Sequence, residues 1–134
     1  MRRLGSLVLT AALLGLPAAQ ARPALGSEVP PAPWSERAPR SYLIALYSFE
    51  CGDLTEAWNT LRRLNLPLYA VNAERRPSPA PAALEVWRGS EATAFSRALK
   101  VRVYPTVLLV RDGRLLNLWE GEAAVRSLKG TDVL

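Results

Sequence analysis

The sequence lacks histidine and has a single cysteine, Cys51, in 134 residues. Without histidine the chain cannot form a Cys-His catalytic pair or a histidine metal site, so protease-like catalysis and ordinary zinc sites are not expected. One cysteine cannot form an intrachain disulfide, so packing has to hold the fold together. The composition therefore predicts a protein that binds no metal and needs no cofactor.

Clustered positive charge is also scarce, although the formal net charge is +5. Basic residues are adjacent only in short pairs, such as Arg62-Arg63 and Arg75-Arg76. Scattered charges of this kind belong to solvated faces rather than to a basic stripe, so nucleic acid is not expected as a partner.

The first residues have the pattern of a signal peptide. Arg2 and Arg3 precede an apolar run that ends at Leu16, and small residues follow up to Ala21. The run is shorter than the roughly 20 apolar residues of a membrane-spanning helix. We expect residues 1–21 to be a signal peptide, with export to the periplasm or the extracellular space and no stable membrane insertion after cleavage. An uncleaved N-terminal anchor is the alternative.

Proline dominates the next stretch, residues 22–40, where it occurs five times. Such a composition favours extended, solvated backbone, so we predict a Pro-rich linker followed by one domain over residues 41–134. Trp34 could dock onto that domain, but nothing in the sequence requires it.

Apolar spacing predicts the elements of the domain. Buried or half-buried strands are expected at 42–49, 67–72, 106–110 and 115–119, and helices at 55–65, 91–99 and 122–129, with a loop at 74–81 and a short helical piece at 82–87. Ser90 is a candidate N-cap. Asp112-Gly113 between two apolar runs indicates a hairpin, and strand-helix-strand at the start implies a parallel pair.

This order of elements, with Cys51 at the first strand-to-helix junction and Tyr104-Pro105-Thr106 before the hairpin, resembles the thioredoxin family over about residues 41–128. The resemblance implies an α/β fold: a three-layer sandwich with a central mixed sheet of about four strands and helices on both faces.

The family's Cys-x-x-Cys motif is reduced here to the single-cysteine variant Cys51-Gly52-Asp53-Leu54. By resemblance Cys51 takes the attacking position, and Leu54 replaces the resolving cysteine. Glu50 stands where the family commonly has tryptophan, and Ala45 stands where many members carry a buried aspartate. The resolving half of the chemistry is therefore missing.

The resemblance also implies a substrate site. Tyr104-Pro105-Thr106 matches the loop that carries a cis proline opposite the active cysteine and pairs with an extended substrate, next to Glu50, Gly52 and Asp53. A trans proline that merely begins a strand is the alternative.

At the start of a helix, free backbone amides would favour the thiolate of Cys51, whereas the neighbouring carboxylates would oppose it.

Three hypotheses follow. In the first, Cys51 forms a mixed disulfide with a protein or with a small thiol and needs an external thiol for release. In the second, the domain is a non-catalytic binding or assembly module that has lost the redox pair. In the third, an unpaired exported Cys51 links two chains into a dimer. The sequence alone leaves enzyme and binding module as open alternatives.

Overall fold

A computed structural model describes residues 22–74, 76 and 78–134, so the predicted signal peptide lies outside the described residues. The strands are β1 (Ser41–Tyr47), β2 (Leu68–Asn72), β3 (Val86–Trp87), β4 (Thr106–Arg111) and β5 (Arg114–Glu120). The helices are α1 (Thr55–Arg62), α2 (Ser90–Ala98) and α3 (Glu122–Arg126), with 3₁₀ turns at Phe49–Cys51 and Gly130–Val133.

The strands form one mixed sheet in the order β3-β2-β1-β4-β5. β1 and β2 are parallel, as the strand-helix-strand order predicts, and β4 and β5 form the antiparallel hairpin. Asp112 and Gly113 turn the hairpin with φ of 53° and 75°. The α/β class with a central mixed sheet is confirmed.

The sheet has five strands rather than about four. The prediction of a short helical piece at 82–87 is wrong, because the end of this segment forms β3. Val86 and Trp87 pair with Ala70 and Val71 at the outer edge of β2. Valine and tryptophan both favour extended backbone, and a strand of this length leaves little open edge for unwanted pairing.

Side chains of β1 alternate between two apolar layers, since successive residues of a strand point to opposite faces. Leu43, Ala45 and Tyr47 pack with residues of α1 and α3. Tyr42, Ile44 and Leu46 pack with residues of α2 on the other face. Helices therefore cover both faces of the sheet, as expected for the three-layer sandwich.

The proline-rich segment packs against the domain around Trp34, which is 1% exposed. Its ring stacks on Tyr69 and meets Trp87 and Phe95 edge to face. Nearer the N-terminus, the Gly26 amide donates to a β5 carbonyl. The prediction of a solvated linker is wrong for this part of the chain, because burial of a large aromatic ring offsets the cost of ordering an already restricted segment.

The helix boundaries differ slightly from those predicted. α1 and α3 end three residues early, at Arg62 and Arg126. Ser90 is not the N-cap of α2: it is the first helical residue, and Gly89 at φ 106° precedes it without a side-chain cap. A glycine tolerates that φ, so the chain enters the helix one residue earlier than the hydroxyl suggested.

Candidate functional site around Cys51

Cys51 lies just beyond the end of β1, as the last residue of the 3₁₀ turn. Its side chain is partly exposed and packs against the apolar layer that contains α1. The Cys51 amide donates to the Ser48 carbonyl at 3.2 Å, and Ser48 Oγ lies 3.8 Å from the sulfur. The single thiol is therefore at the surface end of a central strand rather than sealed in the core.

The sequence predicted that Cys51 lies at the start of a helix, and this prediction is wrong. α1 begins at Thr55, and Gly52, with φ 70° and ψ −140°, turns the chain out of helical geometry directly after the cysteine. The free amides of the first turn of α1 thus belong to later residues. Stabilisation of the thiolate by this helix loses its geometric basis, because such effects fall off within one turn.

Asp53 occupies the approach to α1 instead. Its Oδ1 accepts hydrogen bonds from the Thr55 amide at 2.9 Å and from the Thr55 hydroxyl at 2.6 Å. These bonds favour the ionised form and lower the pKa of Asp53. The carboxylate therefore satisfies a backbone donor at the helix start and keeps a negative charge two residues from Cys51.

Pro105 lies at the end of the sheet at which β1 ends. Leu46, near the end of β1, pairs with Thr106, the first residue of β4. The Tyr104-Pro105 peptide bond is cis, and the Pro105 carbonyl accepts from the Gly121 amide at 2.8 Å. The register thus brings the start of β4 and the chain leading to Cys51 to one end of the molecule.

The side chains on either side of Pro105 already have partners inside the domain. Thr106 is fully buried, and its hydroxyl donates to the Val103 carbonyl at 2.6 Å. The Tyr104 hydroxyl lies 2.5 Å from Ser96 Oγ. Of the predicted substrate-binding triplet, Thr106 therefore has no side-chain surface to offer.

A groove of about 740 Å³ opens beside the cysteine turn. Its lining consists of Phe49, Glu50, Gly52, Asp53, Leu54, Thr55, Trp58, Ser78, Pro79 and Ala80. Three predicted site residues, Glu50, Gly52 and Asp53, share this groove. Its lining does not include the other predicted site residues, which are Cys51, Tyr104, Pro105 and Thr106.

Sequence reasoning missed the other wall of the groove. Phe49 looked like the last residue of a buried strand, yet it is 46% exposed, because β1 ends at Tyr47 and a turn follows. Residues 78–80 looked like an ordinary proline-rich loop. The usable signal was an aromatic residue two positions before the cysteine.

Hydrogen bonds connect the loop at residues 78–80, which forms one wall of the groove, to the rest of the domain. The Tyr47 hydroxyl and the Arg88 guanidinium both donate to the Ser78 carbonyl, each at 3.4 Å. The buried side chain of Asn72 donates to the Arg76 carbonyl at 3.0 Å. Burial raises the pKa of Tyr47, and the nearby Arg88 charge partly opposes this. The groove therefore has one wall on α1 and one on an anchored loop.

The two positions that the family resemblance assigns to the resolving half are both buried among apolar side chains. Leu54 is 6% exposed and Ala45 is 3% exposed, and both belong to the layer beneath α1.

Within residues 22–74, 76 and 78–134, no group of acidic or cysteine side chains could hold a metal ion. No helix of this part of the chain has the length and apolar character needed to cross a membrane.

Comparison with known proteins gives one kind of match. No family model and no curated protein matches the sequence. Among solved structures, the thioredoxin domain of a thiol-disulfide oxidoreductase from Bacteroides vulgatus superposes with a TM-score of 0.54 at 14% identity. The alignment covers 83% of this chain and 99% of that domain. The chain therefore has a thioredoxin-like fold, as its order of elements implied.

Proposed function

We propose that this domain carries out monothiol thiol-disulfide exchange at Cys51. The observation that carries the proposal is the placement of the single thiol, partly exposed beyond the end of β1, at the end of the sheet where Pro105 precedes β4. The structurally similar domain from Bacteroides vulgatus belongs to a thiol-disulfide oxidoreductase, which supports chemistry of this class.

The exchange balances without any further oxidant. The Cys51 thiolate attacks one sulfur of a disulfide R–S–S–R′, forming Cys51–S–S–R and releasing R′–S⁻. Because the chain has no second cysteine, the mixed disulfide persists until an external thiolate R″–S⁻ attacks it. That second step gives R–S–S–R″ and regenerates the Cys51 thiolate. Protein disulfides and small thiols are the partners of this cycle.

Substrate binding follows the same proposal. An extended substrate segment pairs by strand addition with the backbone of Tyr104, beside Pro105, and contacts Glu50, Gly52 and Asp53 near the sulfur. Thr106 contributes by placing Pro105 at the start of β4 rather than by side-chain contact.

Export to the periplasm or the extracellular space completes the proposal, and it rests on the signal-peptide pattern of residues 1–21. An intact-mass measurement of the exported protein tests it. Cleavage after Ala21 gives a chain that begins at Arg22, whereas retention in the producing cytoplasm argues against export.

Mixed-disulfide formation is the direct test of the proposed chemistry. Incubation with a model peptide disulfide should give one covalent adduct by mass spectrometry, at Cys51 only. Turnover of the peptide disulfide should be negligible until a small thiol is added. Cys51→Ser should abolish both adduct and turnover, because serine cannot form the bond.

Ser48→Ala is a matched control, since it removes the hydroxyl 3.8 Å from the sulfur and leaves the sulfur itself in place. This variant should keep adduct formation. Thiol-dependent turnover that survives Cys51→Ser would rule out exchange at this residue.

A non-catalytic binding module is a second candidate, favoured by the buried apolar side chains at Leu54 and Ala45. Here the surface around the cysteine turn holds a partner and the sulfur is incidental. Immobilised wild-type protein and Cys51→Ser would then retain the same purified partner under reducing conditions. Retention that depends on Cys51 would instead support exchange.

A further inference from the structure

The groove beside Cys51 has an apolar floor and one aromatic residue at its rim. Leu54, Trp58 and Ala80 line it from the helix and the loop, while Phe49 presents nearly half of its surface to solvent. Its volume of about 740 Å³ falls within the roughly 300–1,000 Å³ of small-ligand sites. The space fits at least one large apolar side chain.

The charges in the lining have one sign. Glu50 and Asp53 both line the groove, and its described lining contains neither lysine nor arginine. Asp53 is held ionised by its bonds to Thr55. Two described cations lie close to lining residues without being part of the lining: Arg76 is 5.0 Å from the Phe49 ring centroid, and Arg88 donates to the Ser78 carbonyl. Within the lining itself, an anionic ligand would therefore meet two carboxylates, whereas a cationic one would be attracted to them.

Arg76 lies over the Phe49 ring and makes a cation–π contact that restrains it at the rim. The opposite wall is fixed through Ser78 to Tyr47 and Arg88. The groove is thus largely formed before any ligand arrives, which lowers the ordering cost of binding.

We propose that this groove binds a peptide segment of another protein in which a large apolar residue stands next to lysine or arginine. The apolar side chain lies between Phe49 and Trp58, and the basic side chain reaches Glu50 and Asp53. This inference rests on the proposed function, for which it names the substrate class: disulfide partners with an apolar-basic sequence near the reacting cysteine.

Cysteine-free peptides test the groove separately from the exchange chemistry. Fluorescence anisotropy with the Cys51→Ser protein would compare labelled glycine-serine peptides that carry Phe-Lys, Phe-Glu or Ser-Lys at the centre. The Phe-Lys peptide should bind about tenfold more tightly than either of the others, and added salt should reduce its advantage over Phe-Glu. Because no disulfide can form, failure here would leave exchange at Cys51 intact.

Substitutions of lining residues test whether the peptide binds in this groove. Phe49→Ala should weaken binding of the Phe-Lys peptide, and Glu50→Gln should remove most of its advantage over Phe-Glu. Glu56→Gln is the matched control, because Glu56 is an exposed carboxylate on α1 outside the lining, and it should change nothing. Equal affinity for the three peptides, or preference for Phe-Glu, would overturn the proposal. So would a groove closed by self-association, seen as a stable dimer in sedimentation velocity.

Discussion

At the scale of single residues, Gly52 and Asp53 account for the difference between the expected and observed environments of Cys51. Gly52 adopts a positive φ that other residues rarely tolerate, and this separates the cysteine turn from the helix. Asp53 then accepts a hydrogen bond from the Thr55 amide at the helix start. The sulfur would lie near such free amides only if the helix began at Cys51. A sequence shows which residues surround a thiol, but the backbone angles decide which of them act on it.

Asp53→Ala should lower stability at neutral pH, because it removes the carboxylate that accepts from the Thr55 amide and hydroxyl. The folded-state pKa of Asp53 is lowered from the ordinary 3.8. Its contribution is therefore full above about pH 5 and disappears as the pH falls through the folded pKa. Thermal unfolding of both proteins should show a small difference at pH 7 that vanishes in strong acid.

Glu50→Ala is the control for this pH dependence, since it removes an exposed carboxylate three residues before Asp53. It should leave the melting temperature nearly unchanged at both pH values. A difference between wild type and Asp53→Ala that grows in acid would contradict the capping role.

At the scale of elements, the sequence predicted the features that depend on local pattern and missed those that depend on contact. The hairpin at Asp112-Gly113 and the buried strand β1 follow from turn chemistry and from an unbroken apolar run. β3 did not follow, because two residues carry no periodicity and pair only because β2 offers an edge. The groove wall at residues 78–80 and the docking of Trp34 were likewise hidden, since both depend on partners distant in sequence.

Trp34 holds the proline-rich segment onto the face of the sheet covered by α2, so its truncation should destabilise the whole domain. Trp34→Ala should lower the free energy of unfolding by about 3–5 kcal/mol, the usual cost of deleting a buried aromatic side chain. Trp34→Phe should cost less, because a ring remains against Tyr69. Urea denaturation followed by far-UV circular dichroism measures both.

The matched control is Glu36→Ala, an exposed position two residues away, which should stay within about 0.5 kcal/mol of wild type. A Trp34→Ala protein of wild-type stability would show that the segment is a free tether after all.

At the scale of the whole molecule, two apolar layers on one sheet take the place of the disulfides found in many small exported domains. The layers meet across β1 and β4, whose buried residues contribute to both. Five salt bridges between described residues have exposed or partly exposed partners, and such pairs contribute little individually. Stability therefore comes from packing, and the one thiol remains a free cysteine.

Reducing agent should consequently leave the melting temperature of the protein unchanged. If a fraction of the chains joins through a Cys51 to Cys51 bond, that fraction should appear at twice the monomer mass in non-reducing electrophoresis and vanish in Cys51→Ser. Since each domain folds by its own packing, dimer and monomer should melt together by calorimetry at two protein concentrations. A melting temperature that falls on reduction, or that rises with concentration, would show instead that association contributes to folding stability.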